Sequence, residues 1–188
     1  MTREEKVLVA VDVNNLWHSC QESHGHDYRV DFPNLIELVR SMGYVEVHRV
    51  LRLIAYVVEI PSKDSRSKVA RNARFIEYLG KLGFEIQKRV MRYDKNKGKP
   101  YGTDWDVGIT IDAIMLAHEY DTFTLVSGDG DFVILLNKLR DLGKRTEVIT
   151  FEAATSRLLK EAADSTVFMT VDHVFQEPNL REKNANSA

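Results

Sequence analysis

The chain has very little cysteine and no long apolar run. Cys20 is the single cysteine among 188 residues, which excludes an internal disulfide and a thiolate metal cluster. No apolar run approaches the ~20 residues that a membrane span needs. The polar start, residues 1–5, leads directly into a predicted strand without the pattern of a signal peptide. We therefore expect a cytoplasmic protein with no membrane partner.

Two nucleotide-binding motifs are also missing. The sequence contains no Gly-x-x-x-x-Gly-Lys-Ser/Thr loop, which excludes a P-loop nucleoside triphosphatase. It has no Gly-x-Gly-x-x-Gly after its first apolar run, which argues against a dinucleotide site. The composition itself, 44% hydrophobic and 29% charged, is ordinary for a globular domain.

The formal net charge of −2 hides an uneven distribution. Residues 60–100 carry 12 Lys and Arg against 4 Asp and Glu, which leaves 14 basic against 24 acidic residues elsewhere. A basic segment on an otherwise acidic protein suggests a polyanion held beside a cluster of carboxylates. An ordinary solvated helix and β-ribbon would give the same composition, so both interpretations stay open.

Apolar runs and helical periods alternate along the chain, which predicts an α/β fold with a mostly parallel central sheet and helices on both faces. We expect one domain over residues 1–175 and a disordered tail over 176–188. A Lys- and Gly-rich loop at 94–102 is the predicted mobile element. The predicted strands are 6–12, 45–60, 84–93, 122–127, 144–151 and 166–171, and the main helices are 31–43, 65–82, 103–119, 132–143 and 156–163.

Several aspartates fall where ligands bind in such a fold. Asp12, Asp129 and Asp131 follow apolar strands, so they lie at the carboxyl edge of the sheet. If strands 6–12 and 122–127 are neighbours, the crevice between them also receives Asp106 and Asp112 from helix 103–119. Carboxylates gathered in this way repel one another unless cations hold them. Two Mg²⁺ or Mn²⁺ ions about 4 Å apart would do so and would support phosphodiester hydrolysis.

The same acids could also have purely structural roles. Asp129 or Asp131 could simply cap the following helix, and Asp106 could cap helix 103–119. Asp112 lies about 120° around that helix from Asp106, which leaves open whether one of the two is peripheral. Large aromatic residues such as Trp17 and Trp105 are more often core than base-stacking surfaces, and we expect both in the core.

Three segments resemble motifs of the NYN-domain family, in its LabA-like branch. They are Asp12-Val-Asn-Asn-Leu16, Asp106-Val-Gly-Ile-Thr-Ile-Asp-Ala113 and Val126-Ser-Gly-Asp-Gly-Asp-Phe132, and the resemblance covers roughly residues 6–170. It implies a PIN-like, Rossmannoid three-layer fold and a metal-dependent ribonuclease. Asp12, Asp112 and Asp129 match the acids of the metal site, and Asp106 and Asp131 match further acids of the catalytic centre. Thr103 and Asp104 stand where members often have Lys-Gly, a change that bears on substrate contact or metal affinity.

The hypothesis from the sequence is a Mg²⁺- or Mn²⁺-dependent endoribonuclease acting on single-stranded or structured RNA. Phosphates would meet the basic segment without sequence readout, and oligomerisation as a homodimer stays open. The alternative is a non-catalytic RNA- or protein-binding regulator. A haloacid-dehalogenase-type phosphatase is disfavoured because Asn14 replaces its second Asp. The substrate-binding candidates are Asn15, Ser127, Lys88, Arg89, Arg92, Lys95, Lys97 and Lys99.

Overall fold

The computed structural model describes residues 5–42, 48–94, 99–101 and 104–177. In chain order the strands are β1 (Glu5–Asp12), β2 (Tyr28–Val30), β3 (His48–Glu59), β4 (Glu85–Val90), β5 (Arg92–Asp94), β6 (Lys99–Tyr101), β7 (Thr122–Val126), β8 (Arg145–Thr150), β9 (Ser165–Phe168) and β10 (Val174–Gln176). The helices are α1 (Val13–His24), α2 (Phe32–Ser41), α3 (Arg66–Lys81), α4 (Asp106–Met115), α5 (Val133–Asp141) and α6 (Arg157–Ala162).

Six strands form one parallel sheet in the order β4-β3-β1-β7-β8-β9. The chain first builds outward from β1 on one side and then resumes at β7 on the other. The reversal places a crevice between the carboxyl ends of β1 and β7, which is where ligands bind in sheets of this kind. The predicted α/β class and the parallel sheet are therefore confirmed. Strands β1 and β7 are neighbours, which is the condition under which the sequence placed the acids in one crevice.

Two hydrophobic layers enclose the sheet because side chains alternate along β1. Val7, Val9 and Val11 face one layer, while Leu8 and Ala10 face the other. Helices α1, α2 and α3 cover the first layer, and α4, α5 and α6 cover the second. The helices contribute buried Leu16, Leu35 and Leu79 to the first layer, and Ile109, Leu135 and Leu159 to the second. The result is a three-layer fold. By the same alternation, Asp12 lies on the face of β1 that carries Leu8 and Ala10, which is the face covered by α4.

The helices are short, and α3 is the longest of those described, with 16 residues. In the parts of the chain that the structure describes, none has the length and apolarity that crossing a membrane requires. Helix α1 begins directly after β1, where the sequence predicts a turn over residues 13–16 followed by a short helix and a loop over 17–30. Asp12 accepts a hydrogen bond from the backbone N–H of Asn15 at 3.1 Å and thus caps this helix.

Some predicted boundaries change. Strand β10 pairs with β2 and includes Gln176, which the sequence assigned to the disordered tail. Residues 178–188 lie outside the described residues. The predicted loop 94–102 includes β6, which pairs with β5, and residues 95–98 and 102–103 are not described. The helix predicted over 103–119 begins at Asp106 and ends at Met115, and the residue before it, Trp105, makes no side-chain cap.

Candidate metal centre

Asp12, Asp106 and Asp129 each lie at a point where one element of the fold ends and the next begins. Asp12 ends β1 and caps α1. Asp106 is the first residue of α4. Asp129 follows β7 and caps a 3₁₀ turn at Gly130–Phe132, accepting a hydrogen bond from the backbone N–H of Asp131 at 3.0 Å. The acids therefore come from elements that are far apart in sequence. The pairing of β1 with β7 brings Asp12 and Asp129 to one edge of the sheet, and the packing of α4 on the sheet adds Asp106.

Asp106, Asp129 and Asp131 form the closest group. Each offers a carboxylate oxygen, and the three oxygens lie within 4.8 Å of one another. Asp106 and Asp129 are partly buried and Asp131 is exposed, so the group opens to solvent on one side. Hard cations such as Mg²⁺ bind carboxylate oxygens in this way, and the donor set therefore fits a divalent ion.

Asp12 lies close enough to interact electrostatically with this group. The pKa of Asp12 is raised from 3.8 to about 6, first by burial and then by the charges of Asp106 and Asp129, against the lowering effect of the Asn15 N–H. The pKa of Asp106 is also raised to about 6, first by burial and then by the charges of Asp104, Asp129 and Asp131. Both acids are thus held in a site that disfavours their ionised forms.

Helix capping does not account for this arrangement. A helix N-terminus stabilises a carboxylate by typically 0.3–1 kcal/mol. The raised pKa of Asp12, which is only 5% exposed, corresponds to a cost of about 3 kcal/mol for its charged form at neutral pH. This cost remains after the lowering effect of the Asn15 and Asn14 N–H groups, so the charge of Asp12 destabilises the metal-free fold even though Asp12 caps α1. A bound cation would offset this cost.

The comparison with known proteins decides the family. The family model of the NYN domain matches residues 6–170, which is most of the chain. The chain belongs to the NYN domain family. The predicted membership is confirmed, and the three motifs that carried it contribute the acids described above.

Two relatives cover almost the whole NYN chain. It is 27% identical over 190 residues to the "Low amplitude and bright protein LabA" of Synechococcus elongatus, an alignment that covers 95% of this chain and 91% of that protein. It also resembles the crystal structure of a protein of unknown function from Vibrio parahaemolyticus. There the TM-score is 0.72 at 30% identity, with 93% of this chain and 100% of that chain covered. These similarities confirm the fold of the NYN domain and its LabA-like character.

Hydrogen bonds from α1 and within the loop itself hold the loop after β7 in place. The Asn15 side-chain oxygen accepts hydrogen bonds from the Gly128 N–H at 3.0 Å and from the Ser19 hydroxyl at 3.2 Å. The Asp129 N–H donates to the Ser127 hydroxyl oxygen at 3.3 Å. Ser127 is fully buried, so its side chain holds the loop and has no surface for the expected contact with substrate.

The loop after β8, which includes Ala154 and Ser156, packs against Gly128 and Gly130. A Cβ atom at Gly128 would stand 2.4 Å from the carbonyl oxygen of Ala154, and the Ser156 N–H donates to the Gly128 carbonyl at 3.0 Å. A Cβ at Gly130 would stand 2.8 Å from the Ser156 hydroxyl. The backbone contact therefore requires glycine at position 128, whereas a side chain at position 130 would require Ser156 to move.

Asp112 is placed differently from the other predicted ligands. Its carboxylate accepts a hydrogen bond from the Tyr56 hydroxyl at 2.9 Å, and it is absent from the close group of carboxylates found among the described residues. Tyr56 lies on β3 directly beside Asp12 in the sheet register. Burial and the Asp112 charge raise the pKa of Tyr56, so the phenol stays a donor. The contact ties α4, the helix that begins with Asp106, to β3.

The two tryptophans differ. Trp105 donates its indole N–H to the Val57 carbonyl at 2.9 Å, and its ring lies edge-on to Tyr56 at 5.3 Å. A Cβ on Gly108 would meet that ring at 2.5 Å, so this helical glycine makes room for the indole. Trp17, in contrast, is 41% exposed and stacks edge-on against His18. The expectation that Trp17 is a core residue is therefore wrong.

The basic candidates lie at the same edge of the sheet as the acids. Lys88 and Arg89 are exposed near the end of β4, and Arg92 is exposed in β5. Arg89 donates to the backbone carbonyl of Asp104 at 3.2 Å, two residues before α4 begins. Positive charge thus comes close to the acid group. Lys95 and Lys97 lie outside the described residues, and for Lys99 only the backbone strand is described.

Proposed function

We propose that this NYN domain is a Mg²⁺- or Mn²⁺-dependent ribonuclease that hydrolyses phosphodiester bonds of single-stranded or structured RNA. The observation that carries the proposal is the group of carboxylate oxygens on Asp106, Asp129 and Asp131 within 4.8 Å. Membership of the NYN family supports RNA as the polymer. The nearby exposed Lys88 and Arg89 support a polyanionic substrate.

The roles of the acids follow from their placement. Asp106, Asp129 and Asp131 would hold the cation, and Asp12 would contribute a further carboxylate from the buried side. When bound, the cation would act as a Lewis acid that favours attack by water and stabilises charge on the leaving oxygen. Asn15 and Ser127 keep the Asp129 loop in place through the bonds described above. The Tyr56–Asp112 bond holds α4 against β3, and the bond from Trp105 to the Val57 carbonyl holds the residue before α4.

The basic surface would bind the RNA backbone on either side of the scissile bond. Lys88 forms a 3.9 Å ion pair with Glu59 and remains exposed, so a phosphate could replace that contact at little cost. Exposed Arg66 and Lys68 lie in the first turn of α3, which follows the carboxyl end of β3 after residues 60–65, and they extend the surface. Contacts of this kind position a backbone without reading its bases.

The test of the function is cleavage of unstructured RNA by the purified chain. We expect cleavage with Mn²⁺ or Mg²⁺, none with EDTA, and much less cleavage of a DNA strand of the same sequence. Intact RNA in both metals, over several RNAs that the protein does bind, would remove the catalytic proposal and leave a binding module.

Salt dependence tests the basic surface separately. For single-stranded RNA the plot of the log binding constant against log[salt] has a negative slope. That slope becomes shallower by about 0.7 for each phosphate contact removed. The Lys88→Ala/Arg89→Ala variant should therefore flatten the slope by roughly 1.4. Binding is measured in EDTA by fluorescence anisotropy with a labelled RNA. Lys138→Ala, an exposed lysine in the last turn of α5, is the matched control and should keep the slope. An unchanged slope in the double variant would mean that this edge is only solvated.

A further inference from the structure

The outer side of α4 is apolar and exposed. Its large side chains point to solvent at positions i, i+4, i+7 and i+8, which fall on one side of a helix. Ile109 and Ala113 on the opposite side are buried in the second layer. The exposed residues are Val107 at 66%, Ile111 at 54%, Ile114 at 40% and Met115 at 70%. We call this set the α4 stripe.

Helix α4 lacks the solvated face that a surface helix normally has. Between Asp106 and Met115 there is no Lys, Arg or Glu. Of its polar residues, Asp106 belongs to the acid group and Asp112 bonds to Tyr56. Helix α3 shows the ordinary pattern, with charged side chains along its exposed side. A helix that is apolar on both sides is normally covered on both.

We propose that the α4 stripe is the core of a homodimer interface, in which two copies of the chain pack α4 against α4 about a twofold axis. In such an interface the same patch meets itself, so any charge on it would face an identical charge. The α4 stripe carries none. Its side chains follow the four-residue ridge that packs into the grooves of another helix.

The size of the stripe also fits this role. Four large side chains exposed to this extent form a patch on the order of 400 Å², which lies in the range of functional patches on monomers. A standard interface buries about 800 Å² per partner, so the stripe would supply the apolar half and its neighbours the polar rim. The C-terminal residues 178–188 are a poor cover, because Leu180 is their only large aliphatic side chain.

The proposal is independent of catalysis and is tested by mass in solution. Sedimentation equilibrium over a micromolar concentration series should give a dimer, twice the 21.6 kDa chain. Ile111→Glu should give a monomer, because it would bury two unpaired carboxylates at the twofold axis. Ile111→Ser is the milder variant if the glutamate protein does not fold. Val171→Glu, at a 69% exposed position in a 3₁₀ turn beside α2, is the matched control and should remain dimeric.

Two outcomes overturn the proposal. A monomeric unmutated chain at the highest concentration would show that the stripe has no second copy as its partner. Folded Ile111→Glu and Ile111→Ser proteins that stay dimeric would place the interface elsewhere. Neither outcome bears on RNA cleavage.

Discussion

Replacing Asp129 with asparagine should lower Mn²⁺-dependent RNA cleavage by at least ~100-fold, which corresponds to a few kcal/mol of transition-state stabilisation. The fold should survive, because asparagine caps a helical turn as well as aspartate does, and the N–H of Asp131 keeps an acceptor. What is lost is one charged oxygen of the close group. RNA binding in EDTA should stay the same or become slightly tighter, since one negative charge facing phosphate is removed.

Asp141→Asn is the control for this prediction. Asp141 is an exposed acid at the end of α5 and forms a 3.8 Å ion pair with Lys138. Its loss changes the net charge by the same amount and should leave cleavage unchanged. Equal cleavage by the Asp129→Asn and unmutated proteins would point to a contaminating nuclease or to another site.

Replacing Asp12 with asparagine should stabilise the metal-free protein at neutral pH. Asp12 has a pKa of about 6 in the folded protein against 3.8 ordinarily, so the folded state holds its proton more tightly than the unfolded state. The stability of the unmutated protein is therefore highest, with respect to this group, below pH 4 and is lost as the pH rises toward 6. Asparagine removes that loss and can still accept the N–H of Asn15. At pH 7 the gain should be about 3 kcal/mol.

Urea unfolding of both proteins in EDTA measures this effect. The difference in free energy of unfolding should be small near pH 4, should grow between pH 4 and 6, and should then level off. Comparing the two proteins at each pH cancels the titrating groups that do not interact with Asp12. Added Mn²⁺ at pH 7 should stabilise the unmutated chain more than the variant, because only a protein that binds the ion gains from it. A difference that does not vary with pH would mean that burial imposes no cost on the Asp12 charge.

Local patterns in the sequence predicted the sheet and its functional edge. The apolar runs before Asp12 and Asp129 read directly as buried parallel strands, because such strands are covered on both faces. Their carboxyl ends then had to share an edge. The start of helix α1 was wrong: the pattern predicted a turn over residues 13–16 and a short helix with a loop over 17–30, because the segment shows no clear apolar period. In the structure the helix begins at Val13 and buries Val13, Leu16, Ser19 and Cys20.

The sequence could not predict which aspartates would lie close together in the site. Helical spacing placed Asp106 and Asp112 about 120° apart, but it did not say which of them faces β7. The answer depends on Tyr56, which lies on β3 more than 50 residues away and holds Asp112. A register between distant strands decides that contact. The buried state of Ser127 and the exposure of Trp17 likewise depend on which neighbours pack over them.

Calorimetric titration with Mn²⁺ tests the central claim most directly. The unmutated protein should bind Mn²⁺ saturably at pH 6 and release protons, because Asp12 and Asp106 both have a pKa of about 6. Asp106→Asn should weaken binding more than the ~10–100-fold typical of losing an outer-shell partner. Asp112→Asn should bind nearly normally, since an amide oxygen can still accept the Tyr56 hydroxyl. Absence of saturable binding by the unmutated protein, or normal binding by Asp106→Asn, would contradict the account.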